Sequence, residues 1–117
     1  MNQRHHEFRL EDIVDRIRRI GFAESHLSSS ESSSQIEASE MAFDAILYDL
    51  LAIGEAVKSL NREMKVRNSH IAWKDITGLR NFLAHQYFQI EVAVIKASID
   101  HPLEELRLVC VAEQERK

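Results

Sequence analysis

Arg80, Asn81, His85 and Tyr87 fall within the stretch GLRNFLAHQYFQI (78–90), and their side chains suit chemistry on a phosphate. On a helix Asn81 and His85 stand at i and i+4, on one face. Arg80 lies about 140° round from His85, a gap that a long guanidinium stem can bridge. Imidazole gives and takes protons near neutral pH. Guanidinium presents a planar fork of donors that matches a phosphate. Leu79, Phe82 and Leu83 are expected to anchor the segment to a core. Taken alone, these residue types also fit a surface arginine and a hydrogen-bonding histidine, so the surroundings decide.

Other chemistries find less support. His5 and His6 are adjacent and cannot face one site on a helix, and they lie in a terminus expected to be mobile, so no metal site is expected. No Gly-rich phosphate loop and no G-x-S-x-G is present, and no cofactor is expected. Cys110 sits at helical spacing beside Leu106 and reads as a core residue. A single cysteine excludes an intramolecular disulfide framework and a Cys-rich zinc module.

The chain that must position these residues has 117 of them, 44% hydrophobic and 29% charged, enough for one domain and one core. With only 3 Gly and 1 Pro, it lacks the punctuation of a turn-rich β-sandwich. No apolar run approaches the ~18 residues of a membrane span, and the opening MNQRHHEFRLED lacks a signal-peptide core. The expectation is a soluble, cytoplasmic protein. Its net charge of −4 speaks against a nucleic-acid binder, yet the charge is unevenly spread. Residues 26–55 hold acids and neither Lys nor Arg. Residues 56–80 carry Lys58, Arg62, Lys65, Arg67, Lys74 and Arg80 against Glu63 and Asp75. Screening confines charges to neighbours within ~10 Å, so this basic segment can attract a polyanion locally.

Hydrophobic spacing predicts an all-α fold, an antiparallel bundle of four to five helices. Ile13, Val14, Ile17 and Ile20 make residues 8–24 an amphipathic helix. SHLSSSESSSQ predicts a flexible Ser-rich loop at about 25–35 within a single domain spanning 1–117. In the second helix Phe43, Ile46, Leu47, Leu50, Ile53, Val57, Leu60 and Met64 step by three or four residues. Ala42, Tyr48 and Leu51 widen the stripe enough for two neighbours. Residues 62–72 lose the period and form a connection. A third helix starts near Trp73 with Ile76, Leu79 and Leu83 inward, and a fourth near Glu91 with Val94, Ile95 and Ile99. Pro102 is expected to break or kink it before Leu103, Leu106 and Val109 resume an apolar face.

LLAIGEAVKSL (50–60) followed by IAWKDITGLRNFLAHQYFQIEVAVI (71–95) resembles the HepT toxins of the HEPN superfamily. That family's signature is Arg, four residues, His, one residue, Tyr, which here is Arg80 through Tyr87, with the polar Asn81 after the Arg. Trp73 to Gly78 and Ile53 to Ala56 match family landmarks. The likeness covers roughly residues 8–110. The Ser-rich loop, and Ala72 where a Pro often precedes the Trp, depart from the pattern without touching the motif.

The resemblance implies an HEPN-like fold and a metal-independent endoribonuclease, the toxin of a type VII-like toxin–antitoxin pair. Its implied partners are RNA, a second copy of the chain and a minimal nucleotidyltransferase antitoxin that transfers AMP to Tyr87. Arg80 and His85 would be catalytic, with Asn81 and Glu55 in support. Glu55 falls in the apolar stripe of the second helix, where an unpaired carboxylate is costly, and is expected to pair with Arg80 or a backbone donor. A rival reading is a non-catalytic helical dimer that binds nucleotide or a nucleotidyltransferase.

Overall fold

Among the described residues, isoleucine and leucine at three- and four-residue steps close four long helices and one short helix around a shared apolar interior. The computed structural model describes residues 3–27, 33–86 and 92–116. Its elements are α1 (Gln3–Glu24), α2 (Ser33–Lys58), α3 (Arg62–Arg67), α4 (Trp73–Gln86) and α5 (Val92–Glu115). Among the described residues there is no strand. The bundle is 50 Å long and about 20 Å across. α1 and α4 each pack against α2 and α5 and so occupy opposite corners. The all-α expectation holds.

The interior is filled by Leu10, Ile13, Ile17 and Ile20 of α1, Ile46, Leu50, Ile53 and Val57 of α2, Ile76, Leu79 and Leu83 of α4, and Ile95, Ile99, Leu103 and Leu106 of α5. Cys110 is fully buried, and burial, aided by Glu113, pushes its thiol up to about 12. It is a packing residue and no nucleophile.

Several local expectations are corrected. The stripe ascribed to one long second helix stops at Lys58, and Leu60 and Met64 reach the core from the connection. That connection holds α3, started by Asn61, whose side-chain oxygen accepts from the Met64 amide at 2.9 Å. Arg67 and Asn68 then bind Glu113, with Arg67 Nη2 at 2.6 Å, which ties α3 to the end of α5. Pro102 lies inside an unbroken α5. A mid-helix proline costs ~3 kcal/mol. Burial of Ile99, Leu103 and Leu106 on either side holds the helix through it. Ser33–Gln35, expected in the Ser-rich loop, belong to α2, and residues 28–32 lie outside the described ones. Tyr48, Leu51, Phe82 and Val94, expected inside, are exposed. His6 is helical and buried, with Nδ1 lacking a partner, so the first residues described are not a loose end.

One buried acid escaped the sequence reading. Asp49, 1% exposed, sits mid-α2 and accepts from Arg16 Nη1 at 2.9 Å and Arg19 Nε at 3.4 Å, binding α1 to α2. A second acid, Glu24 at the end of α1, has one carboxyl oxygen buried beside Asp100 of α5. Burial and the hydrogen bond to Asp100 push its pKa up to about 8, against a counterpull from Lys96. A protonated Glu24 can donate to Asp100.

Between the unfolded carboxyl value near 4.5 and about 8, the folded chain holds a proton at Glu24 that the unfolded chain has released. Glu24's contribution to stability is therefore full below pH ~4.5 and fades as pH rises toward 8. Thermal melts from pH 5 to 8 should show Tm falling, and Glu24→Gln, which keeps the donor without the titration, should flatten the slope. An unchanged slope in Glu24→Gln contradicts this assignment.

Candidate functional site

α4 is a rigid shelf. Ile76, Leu79 and Leu83 bury one side of it, which turns Arg80, Asn81, Ala84 and His85 outward, all of them exposed. Arg80 Nη1 donates to Asn81 Oδ1 at 3.3 Å, so these two neighbours are joined directly. Helical steps of about 100° place His85 some 40° from Asn81, on the side away from Arg80. The three polar groups thus span an arc of about 140° over the last two turns of α4. Lys74, also exposed, lies on the Asn81–His85 line, seven residues before Asn81 and about 10 Å along the axis. Sequence reasoning gave Lys74 a share of the bulk charge and a place in the Trp73–Gly78 landmark but no site role; its i, i+7, i+11 relation to Asn81 and His85 was the available signal.

The close approach of α2 to α4 sets the height of this shelf. A Cβ built on Gly54 would lie 3.5 Å from the Thr77 Cα and 3.5 Å from its carbonyl oxygen. Thr77 is three residues from Arg80, and its own hydroxyl donates to the Lys74 carbonyl at 2.8 Å.

Glu55 is a correction. It stands about 200° from Ile53 on α2 and points outward, exposed, where it accepts from Lys58 Nζ at 3.3 Å. It lines a hollow on the α1 side with Phe8 and Asp12, and pairs with neither Arg80 nor a buried donor. Tyr87 lies outside the described residues. Among the described residues no group of three or more His, Cys, Asp or Glu could hold a metal ion. No described helix is long and apolar enough to cross a membrane.

An all-α bundle displaying an Arg-x4-His pair on one exposed helix defines the class. Residues 10–112 match the family model described as "Ribonuclease HepT-like", and the chain belongs to that HepT-like ribonuclease family. It is 39% identical over 62 residues to Putative RNase TTE0752 of Caldanaerobacter subterraneus subsp. tengcongensis, covering 53% of this chain and 55% of that one. It is 30% identical over 63 residues to Putative RNase MJ0125 of Methanocaldococcus jannaschii, covering 54% of each. The chain spans about half the length of these curated relatives. A longer, weaker likeness, 26% over 110 residues, covers 90% of this chain and 92% of Probable ribonuclease HepT of Thermococcus cleftensis. No solved structure matches.

The α2–α4 seam makes a stability prediction. Gly54→Ala adds a methyl at ordinary contact distance and removes glycine's helix penalty of up to ~1 kcal/mol, so urea denaturation should show it neutral or slightly more stable. Gly54→Leu must push Thr77 away and should cost about 1–3 kcal/mol. A Gly54→Leu protein as stable as the parent would show that the seam is slack.

Proposed function

We infer that the chain is a metal-independent endoribonuclease, the toxin of a toxin–antitoxin pair, acting through Arg80 and His85 on two copies of α4. The observation that carries this reading is the exposed, core-anchored surface of α4 on which Arg80, Asn81, His85 and Lys74 gather in a chain of the HepT-like family. Names of relatives that include RNase point the same way.

Cleavage of RNA needs a base to take the ribose 2′-hydroxyl proton, an acid to protonate the departing 5′-oxygen, and positive charge on the pentavalent phosphorus between them. The 2′-oxygen attacks phosphorus and the bond to the 5′-oxygen breaks, which yields a 2′,3′-cyclic phosphate and a 5′-hydroxyl. One motif supplies one histidine. A two-fold pairing of α4 surfaces supplies a neutral His85 as base, a protonated His85 as acid and two Arg80 for the phosphate. Because the motif lies on an outward helix surface, a second surface would be needed to make a cleft. Leu51, one turn before Gly54 on α2, and Phe82 on α4 are large exposed apolar side chains suited to such a contact. Asn81 would hold Arg80 in place, and Lys74 would meet a neighbouring phosphate along the strand. Tyr87 is the proposed acceptor of AMP from a nucleotidyltransferase antitoxin. The added phosphodiester and purine would take the place of the RNA phosphate beside Arg80.

Incubating the protein with RNA in EDTA, beside Arg80→Ala and His85→Ala, tests this. Both residues are exposed, so the variants should keep the parental helical spectrum while losing 10²-fold or more of the cleavage rate, an order of magnitude typical of such groups. Wild-type rates in His85→Ala would refute the assignment. Intact-mass spectrometry after co-expression with the nucleotidyltransferase should show added AMP in the parent and none in Tyr87→Phe.

A further inference from the structure

The outer face of α1 reads Phe8, Glu11, Asp12, Asp15, Arg18, Arg19, Phe22, and all of these positions fall within about 120° of one another around the helix. Phe8 is 69% exposed and Phe22 72% exposed, so each ring leaves most of its surface open to a partner. The order of types is aromatic, acid, acid, acid, base, base, aromatic. Reversing α1 about Asp15 places Phe8 opposite Phe22, Glu11 opposite Arg19 and Asp12 opposite Arg18. Apart from the two Asp15 carboxylates, which meet at the axis, the face is complementary to an antiparallel copy of itself.

α2 carries the matching hollows. Beside Phe22 a cavity of about 520 Å³ is lined on α2 by Ala38, Ala42 and Ala45 together with Met41 and Asp49. Beside Phe8 a second, of about 490 Å³, is walled by Ala52, Ala56 and Ser59. Phe8 and Phe22 are fourteen residues apart, about 21 Å along α1, and Ala42 and Ala56 are fourteen apart on α2. Two aromatic knobs and two small-residue hollows therefore share one spacing, and the same half-turn that matches the charges brings each knob to a hollow. At the midpoint Arg16, Arg19 and Asp49 lock α1 to α2, so the face is rigid. The side chains of Arg19 (59% exposed) and Asp12 (35%) keep surface for a partner despite their internal pairs.

We propose that this α1–α2 face is a homotypic docking surface whose occupant is a second copy of the chain, its α1 running antiparallel across the first. An isologous contact of this kind needs every feature twice about one axis, and this face has that repetition. It lies at the corner opposite α4, since α1 and α4 are each neighbours of α2 and α5, so it is separate from the surface that bears Arg80 and His85. One copy can use both faces at once.

The test is cysteine cross-linking on the full chain. Asp15→Cys puts a thiol at the proposed axis, while the native Cys110 is buried and inert at neutral pH. Ala97→Cys, on the exposed side of α5, is the reference for random collision. A seated pair holds its thiols at an effective millimolar concentration, so at micromolar protein Asp15→Cys should form covalent dimer on the order of 10²-fold faster than Ala97→Cys. Adding Phe8→Ser and Phe22→Ser should abolish that advantage without altering the helical spectrum, because both rings are outside the core. Cross-linking at residue 15 no faster than at residue 97, or equally fast without the two rings, overturns the proposal. RNA cleavage by the Phe8→Ser/Phe22→Ser protein reads the nuclease assignment independently.

Discussion

Everything that α4 displays depends on how closely it can lie against α2. The contact is made where Gly54 faces the Thr77 backbone, and a residue no larger than alanine there lets two helix backbones meet at the level of the motif. Leu79 and Leu83 then reach the core, which fixes the rotation of α4 about its axis. Rotation is the quantity that matters for the site. Turning α4 by a quarter turn would carry Arg80 in one direction, or His85 in the other, toward the core. An apolar seam on one side of a helix thus sets a polar arrangement on the other, with no hydrogen bond between the two sides required.

The opposite corner of the bundle is held by charge. Asp49 is deep in the α1–α2 contact, where an unpaired carboxylate would cost several kcal/mol. Arg16 and Arg19 meet it from α1, and Arg16 also holds Asp12 and lies 5.6 Å from the Tyr48 ring centre. A buried pair of this kind is weak evidence for added stability and better evidence for register. It specifies which turn of α1 lies beside which turn of α2. That register is what aligns Phe8 and Phe22 with the alanine hollows.

The core phase of each long helix was legible because burial repeats: Ile13, Ile17 and Ile20 or Ile76, Leu79 and Leu83 leave little choice of inward side. Departures arose where one residue serves two demands. Tyr48 and Leu51 are apolar enough to extend a core stripe, yet lie where α2 is open to solvent. Glu55 reads as part of that stripe in one dimension, but two residues from Ile53 is nearly the far side of a helix. Asp49 sits in core phase with a polar side chain, and only the arginines of α1, thirty or more residues away in sequence, explain it. Pro102 is a breaker by local rules and is overruled by the leucines and isoleucine around it. The Arg80–His85 motif stood out through the likeness of its flanks to the HepT family, since its residue types and spacing alone also fit a surface arginine and a hydrogen-bonding histidine. The second surface proposed to complete it is not written in one helix's periodicity.

If His85 and Arg80 act on the 2′-hydroxyl route, the bond broken dictates the ends of the product. The most direct measurement is the terminal chemistry of RNA cleaved by the purified protein in EDTA, read by mass spectrometry of the fragments. A 2′,3′-cyclic phosphate on the upstream fragment and a 5′-hydroxyl on the downstream one, both lost with His85→Ala, is the expected result. Fragments ending in 3′-hydroxyl and 5′-phosphate would mean that water or another nucleophile attacks the phosphorus, and would contradict the roles assigned to His85 and Arg80.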